Sequence, residues 1–167
     1  MRGFTLFETV ISIALLLLVI SSFGGFVIST MNTRAKVQSA EEVQGNGRMA
    51  LDVIAGKIRN ASDINDATSV WDTDPGVLSL AMADPLKNPT LIMLDHDDGT
   101  LVIQEGGAAP VPLTSSAVAV SALQFIRYTH DGGKGVIGIQ LSLSTLTQSD
   151  AYVSYTDTFS TAVSVRQ

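Results

Sequence analysis

A long uncharged run near the amino terminus constrains this chain more than any other feature. No charged residue lies between Thr9 and Thr33, and the stretch from Val10 to Ile28 is apolar apart from three serines and two glycines. As a helix, such a run is long enough to span the roughly 30 Å of hydrocarbon in a bilayer. A transmembrane helix is therefore predicted. Two ordinary alternatives fit the same run: a cleaved secretory signal with its apolar core at Val10 to Ile20, and a plain signal anchor.

One acidic residue, Glu8, stands at the edge of this run. An ionised carboxylate in hydrocarbon costs roughly 2.5–3.5 kcal/mol even on lenient insertion scales. Both ordinary alternatives leave it unexplained, because an acid between a basic start and an apolar core weakens the charge asymmetry that orients such segments. A group that compensates the carboxylate is needed.

The residues around Glu8 read "GFTLFE", from Gly3 to Glu8. This stretch resembles the type III signal of type IV pilins and type II secretion pseudopilins, in which a basic leader ends in Gly, an aromatic residue follows, and Glu is the fifth mature residue. The resemblance implies cleavage between Gly3 and Phe4 by a prepilin peptidase, N-methylation of Phe4, and a role for Glu8 in assembly. The leader "MRG" is shorter than most in the family, so either the true start lies upstream or one arginine suffices.

Beyond the apolar run the helical pattern continues and becomes amphipathic. Apolar or small residues recur at steps of three and four, the period of an amphipathic helix, with Arg48, Asp52 and Arg59 available for the solvent side. The predicted apolar face consists of Val37, Ala40, Gly47, Leu51, Ile54, Ile58 and Ala61. Gly24–Gly25 and the "GNG" at 45–47 predict bending or local melting, because a glycine costs about 1 kcal/mol against alanine inside a helix. The alternative, a separate surface helix after a linker, is disfavoured by the absence of proline or a polar linker.

Beyond Ser62 short apolar runs alternate with turn signals such as Asp74–Pro75–Gly76, Asp98–Gly99 and Asp131–Gly132–Gly133. Apolar residues alternate at Val118, Val120 and Ala122 and again at Ile137, Ile139, Leu141 and Leu143. The pattern predicts an antiparallel sheet of hairpins with one face packed on the helix. The fold class is therefore α+β, similar to the pilin fold, and the last three strands also resemble minor pseudopilins of the J class. The predicted organisation is a leader at 1–3, a membrane or filament-core helix at 4–30, an amphipathic continuation at 31–62 and a β-sheet head at 63–167.

Signals for chemistry are weak. His96 and His130 are the only histidines, each beside a turn, and no phosphate loop, zinc-binding helix or nucleophile elbow occurs. "DHDDGT", with Asp95, Asp97 and Asp98, resembles the start of a calcium loop, but its glycine comes one position early and a hairpin turn on Asp98–Gly99 fits better. No enzyme activity, cofactor or metal is predicted. A net charge of −6 argues against nucleic-acid binding, including DNA capture at a pilus tip.

The resemblance implies a minor pilin or pseudopilin: a structural subunit that waits in the cytoplasmic membrane with its head outside, and then enters a cell-surface or periplasmic filament. Its implied partners are other pilin or pseudopilin subunits through the amino-terminal helix, the prepilin peptidase, the inner-membrane assembly platform, and membrane lipid before assembly. The alternative from another class is a single-pass, membrane-anchored β-rich binding domain that never polymerises. Whether the parent machine is a pilus, a secretion pseudopilus or a DNA-uptake apparatus stays open.

Overall fold

A computed structural model describes residues 5–95, 98–128, 135–146 and 154–165. In these ranges one α-helix, α1, covers Leu6–Asn60. Eight strands follow it in the described part of the chain: β1 Asp63–Ile64, β2 Leu78–Ala81, β3 Thr90–Leu94, β4 Leu101–Glu105, β5 Val111–Pro112, β6 Val118–Tyr128, β7 Val136–Thr145 and β8 Thr156–Ser164. The predicted α+β class, a long amino-terminal helix with antiparallel strands, is confirmed, and the layout is that expected of a pilin-like fold.

The strands form two antiparallel sheets, where the sequence predicted one. The first has the order β1-β2-β3-β4-β5 and the second the order β6-β7-β8. Prediction of a single sheet was wrong, because the edge of β6 that faces away from β7 hydrogen-bonds to the loop at 72–76 and not to a strand of the first sheet. The predicted hairpin around Asp98–Gly99 is present between β3 and β4, with Gly99 at a φ of 62°. Asp131–Gly132–Gly133 lies outside the described residues.

The chain divides into two compact units, residues 1–38 and 39–167. In the second unit the 39–60 part of α1 shares one hydrophobic core with both sheets. Its fully buried large side chains include Ile54 and Ile58 from the helix and Phe125 from β6. This core organises the head.

The buried face of α1 is shifted from the predicted one. Gly47, Ile54, Ile58 and Ala61 are buried as predicted, and Arg48, Asp52 and Arg59 are exposed as predicted. Val37 is exposed, however, and Ala40 and Leu51 are only half-buried, whereas the structure buries four residues outside the predicted face: Ser39, Val43, Ala50 and Ala55. The predicted face is rotated about the helix axis relative to the buried one, because the sequence alone does not show which side of the helix contacts the sheets.

Of the bending or local melting predicted at the glycines, local melting was wrong, since α1 is helical through 24–25 and 45–47, and bending stays a prediction. Gly47 is buried against the Phe159 ring of β8, and a Cβ at this position would collide with that ring. Close approach of the strand, which glycine permits, offsets the cost of glycine in the helix.

A β-bulge at Ser121 changes the inward face of β6. Val120 pairs with Leu143 but Ala122 pairs with Ser142, so Ser121 is the extra residue. The buried positions are consequently Val118 and Val120 before the bulge and Leu123 and Phe125 after it. The predicted alternation through Ala122 was wrong there, while the predicted alternation of β7 is confirmed: its inward residues are Ile137, Ile139, Leu141 and Leu143.

Candidate functional site

The first unit carries an apolar surface along α1. An 18-residue window of the helix has a mean hydropathy of 2.5, and none of that window is buried. Large apolar side chains on all sides of the helix are exposed, from Leu6 at 83% to Phe26 at 69% and Met31 at 65%. By length and composition this helix can cross a membrane, as the sequence predicted.

Hydroxyl groups in this apolar segment bond to the helix itself. Thr9 Oγ1 donates to the Leu6 carbonyl at 2.8 Å, Ser12 Oγ to the Glu8 carbonyl at 2.8 Å, and Thr30 Oγ1 to the Phe26 carbonyl at 2.9 Å. Unsatisfied polar groups are costly in an apolar medium, and these bonds remove that cost without any partner from outside the helix. These hydroxyls therefore remain compatible with hydrocarbon surroundings.

Glu8 lies exposed in the first turn of α1, close to the helix start at Leu6. Its backbone N–H donates to the Thr5 carbonyl at 3.1 Å and to Thr5 Oγ1 at 3.3 Å. Thr5 is thus the N-cap and Glu8 the N3 residue of a capping-box sequence. A carboxylate in the first turn is also stabilised by the helix dipole.

Sequence reasoning missed the capping role of Thr5, although the Ser/Thr-x-x-Glu signature was readable from the residues at 5 and 8. The Thr5 cap fixes the start of α1 three residues before Glu8, so it places the Glu8 carboxylate in the first turn. Of the other predicted site residues, Gly3 and Phe4 lie outside the described residues, so the cleavage and methylation site stays a prediction.

Among the described residues of the head, two ion pairs connect secondary-structure elements. Lys57 Nζ of α1 pairs with Glu105 Oε1 at the end of β4, and Arg127 Nη1 of β6 pairs with Asp66 Oδ2. The Arg127 guanidinium carbon also lies 6.0 Å from the centre of the Trp71 ring, within the range of a cation–π contact. All four charged side chains are partly exposed, which suits pairs that connect elements rather than a reactive centre.

Within the described ranges no three or more His, Asp or Glu side chains gather as metal ligands would. His96, Asp97 and His130, which the sequence singled out, lie outside those ranges. Asp95 is at the end of β3, where its N–H donates to the Thr100 carbonyl at 2.8 Å and its carbonyl accepts from Gly99 at 3.2 Å. These backbone bonds close the β3–β4 connection as a turn.

A scan against protein-family models, a search of curated proteins and a search of solved structures each give no match to this chain. The functional conclusion therefore rests on the residues and the geometry described above.

Proposed function

We propose that this chain is a minor pilin or pseudopilin, a structural subunit of a type IV pilus or of a type II secretion-like filament. The observation that carries the proposal is an exposed apolar helix that has a single acid in its first turn and directly follows the Gly3–Phe4 pair. In this proposal the chain is held in the cytoplasmic membrane with its head outside and is cut between Gly3 and Phe4. Its work is assembly, and no catalytic step is assigned to it.

Glu8 has a specific task in this proposal. Cleavage would create a positively charged amine on Phe4, which in the sequence is one residue before the N-cap Thr5 and four residues before Glu8. The carboxylate could pair with the amine of its own chain or of a neighbouring subunit. In apolar surroundings an unpaired charge is costly, so the second pairing favours one axial register between subunits.

Thr5 and Glu8 have separate roles in this proposal. The Thr5 hydroxyl accepts the Glu8 N–H, which fixes the helix start, while the charge of the Glu8 carboxylate is left for the amine. Glutamine at position 8 keeps the length and the carbonyl oxygen of the side chain and removes the charge, whereas alanine removes the polar side chain. Both retain the backbone N–H that Thr5 accepts, so Glu8→Gln tests the charge alone and Glu8→Ala tests the whole polar side chain.

Processing is tested in cells that contain a prepilin peptidase, by intact-mass analysis of the membrane fraction. We expect loss of residues 1–3 and one added methyl group on Phe4. Gly3→Val should leave the precursor uncut, because the peptidase is expected to accept only a residue without a side chain before the cleaved bond. An anchored chain with an intact or differently cut amino terminus would instead support the membrane-anchored binding domain that does not polymerise.

Assembly is tested with Glu8→Gln and Glu8→Ala, compared in processed fraction and in recovery from sheared filaments. We expect normal processing and methylation of both variants and a large reduction of both in filaments. Wild-type incorporation of Glu8→Gln with loss of Glu8→Ala would show that a polar side chain, and not its charge, is what position 8 supplies. Wild-type incorporation of both would contradict the assembly role of Glu8.

A further inference from the structure

The outer edge of β8 differs from the other long sheet edge of the head, which belongs to β6. The Phe125 and Leu123 carbonyls of β6 accept from Asp72 N at 2.9 Å and Gly76 N at 2.7 Å, and Leu123 N donates to Asp74 Oδ1 at 2.9 Å. The loop at 72–76 thus covers that edge. β8 is the last strand of its sheet, and its partner on the inner side is β7.

The register of β8 shows which of its backbone groups point outward. Thr145 N donates to the Tyr155 carbonyl at 3.0 Å, so the directly opposed residues at 145 and 155 form a hydrogen-bonded pair. Such pairs alternate along an antiparallel ladder, and the β7–β8 register has no shift. The N–H and C=O groups of Thr158, Ser160 and Ala162 therefore point away from β7.

Only one of these outward groups is occupied by a described residue. Thr158 N donates to Asp157 Oδ1 at 2.8 Å, which closes the edge at that position. Among the described parts of the chain, no hydrogen bond reaches the outward backbone groups of Ser160 or Ala162. β8 also lacks proline, lysine and a bulge, the usual devices that protect an edge strand.

A groove follows this open edge. Two adjoining cavities of about 330 Å³ and about 470 Å³ lie between the exposed flank of α1 and β8, and Arg59 lines both. Arg48 and Asp52 line the first cavity beside Ser160, and Ala162 lines the second. Neither Arg48 nor Arg59 belongs to an ion pair in the described structure. The groove thus places two available cations beside unpaired backbone groups.

We propose that β8 and this groove bind an extended acidic segment of another polypeptide, which adds to the sheet as a strand at Ser160 and Ala162. Backbone hydrogen bonds supply the affinity and side chains at alternate positions supply the specificity, as in other cases of strand addition. Arg48 and Arg59 are eleven positions apart, about 16 Å along a helix. Two acids four residues apart on the added strand are about 13 Å apart on one face, within side-chain reach of both arginines.

This proposal is independent of the proposed filament role, because it needs only the head as described. The test uses the full-length chain in detergent micelles and a labelled peptide, Thr-Glu-Val-Thr-Val-Glu-Thr, with fluorescence anisotropy as the readout. Its acids lie on one face and its sequence reads the same in both directions. The matched control peptide has lysine in place of both glutamates.

We expect the acidic peptide to bind at least about tenfold more tightly than the lysine peptide, since each arginine gains a charge-assisted partner. Ala162→Pro should weaken binding at least about tenfold, because it removes one outward N–H that the added strand would use. The variant should still fold, because proline is tolerated on an edge strand. Ala162→Ser, which retains the N–H, is the matched control. The double variant Arg48→Glu with Arg59→Glu should reverse the preference between the two peptides.

Equal binding of the two peptides, or unchanged binding by Ala162→Pro, would overturn the proposal. A wild-type chain that binds no peptide but self-associates, with the self-association lost in Ala162→Pro, would also overturn the proposal. In that case β8 would pair two copies of this chain. Unchanged peptide binding by the uncut Gly3→Val precursor is expected. That comparison separates failure of this proposal from failure of the proposed processing.

Discussion

Two stretches of the same helix differ in which of their side chains are exposed. In the first unit the side chains of α1 are apolar and exposed on all sides, as at Leu17, which is 60% exposed. In the second unit only one flank is buried, with Val43 and Ile54 fully covered while Arg48 is exposed. The helical period is the same in both. What differs is the surroundings that each stretch is built to meet, apolar on every side in one and divided between core and water in the other.

The largest effect that separates the two stretches is expected from Ile54→Ala. Truncation of a buried isoleucine typically costs about 2–5 kcal/mol through lost burial and the cavity that remains. The head should melt at a lower temperature, followed by near-UV circular dichroism of the full chain in detergent. Leu17→Ala, an exposed position in the first unit, is the control and should leave the melting of the head unchanged. Equal losses in the two variants would contradict the assignment of the core.

A charge in the apolar stretch should act on the membrane and not on the head. Leu17→Arg is expected to cost about 2.5–3.5 kcal/mol of membrane insertion on a translocon scale. The fraction of the chain that resists carbonate extraction should fall sharply. Met49→Arg, at an exposed position of the second unit, is the matched control and should extract as wild type does. Equal extraction of both variants would mean that this stretch of α1 does not hold the chain in the membrane.

The two glycines of "GNG" sharpen the comparison within the head. A Cβ at Gly45 would meet open space, so Gly45→Ala should stabilise the helix by about 0.5–1 kcal/mol. A Cβ at Gly47 would meet the Phe159 ring, so Gly47→Ala should destabilise the head by about 1–3 kcal/mol despite the better helix propensity. The unfolding free energies of both variants, measured by denaturant titration, should differ in sign. The same sign in both would place Phe159 elsewhere.

The smallest effect is expected at the ion pair between Lys57 and Glu105. Both side chains are 28% exposed, and pairs of this kind contribute about 0–1 kcal/mol after solvent screening. Lys57→Met should therefore leave the head nearly as stable as wild type. A double-mutant cycle with Glu105→Gln measures the coupling, and a coupling well above 1 kcal/mol would show that the pair is better shielded than its exposure indicates.

Sequence reasoning was most successful where a signal is local. The apolar run, the α+β class, the β3–β4 hairpin and the alternation of β7 follow from hydropathy period and turn residues, and the structure confirms each. The bulge at Ser121, the division into two sheets and the buried flank of α1 depend on which distant segments meet. A period of 3.6 indicates that a helix has an inner face, but only the tertiary fold shows that Val43, Ala50 and Ala55 belong to it.

The candidate site was likewise predictable only where its signal is local in the sequence. Glu8 was singled out by its charge beside an apolar run, and the capping partner Thr5 could have been found from the spacing alone. The groove along β8 could not have been found, because it requires Arg59 and Ala162, more than a hundred positions apart, to line one surface. Long-range juxtaposition of this kind is set by the tertiary fold and has no local signature.

The hydroxyls that bond back to their own helix have a consequence for exchange between environments. The hydroxyls of Thr9, Ser12 and Thr30 donate to carbonyls three or four residues earlier in the helix. Replacing the molecules around the helix therefore neither breaks nor requires a hydrogen bond at these positions. At these three positions, transfer between acyl chains and the side chains of other helices is therefore governed by contact area and packing. The hydroxyls add little enthalpic penalty in either direction, which leaves the charge of Glu8 as the polar group that distinguishes one apolar environment from another.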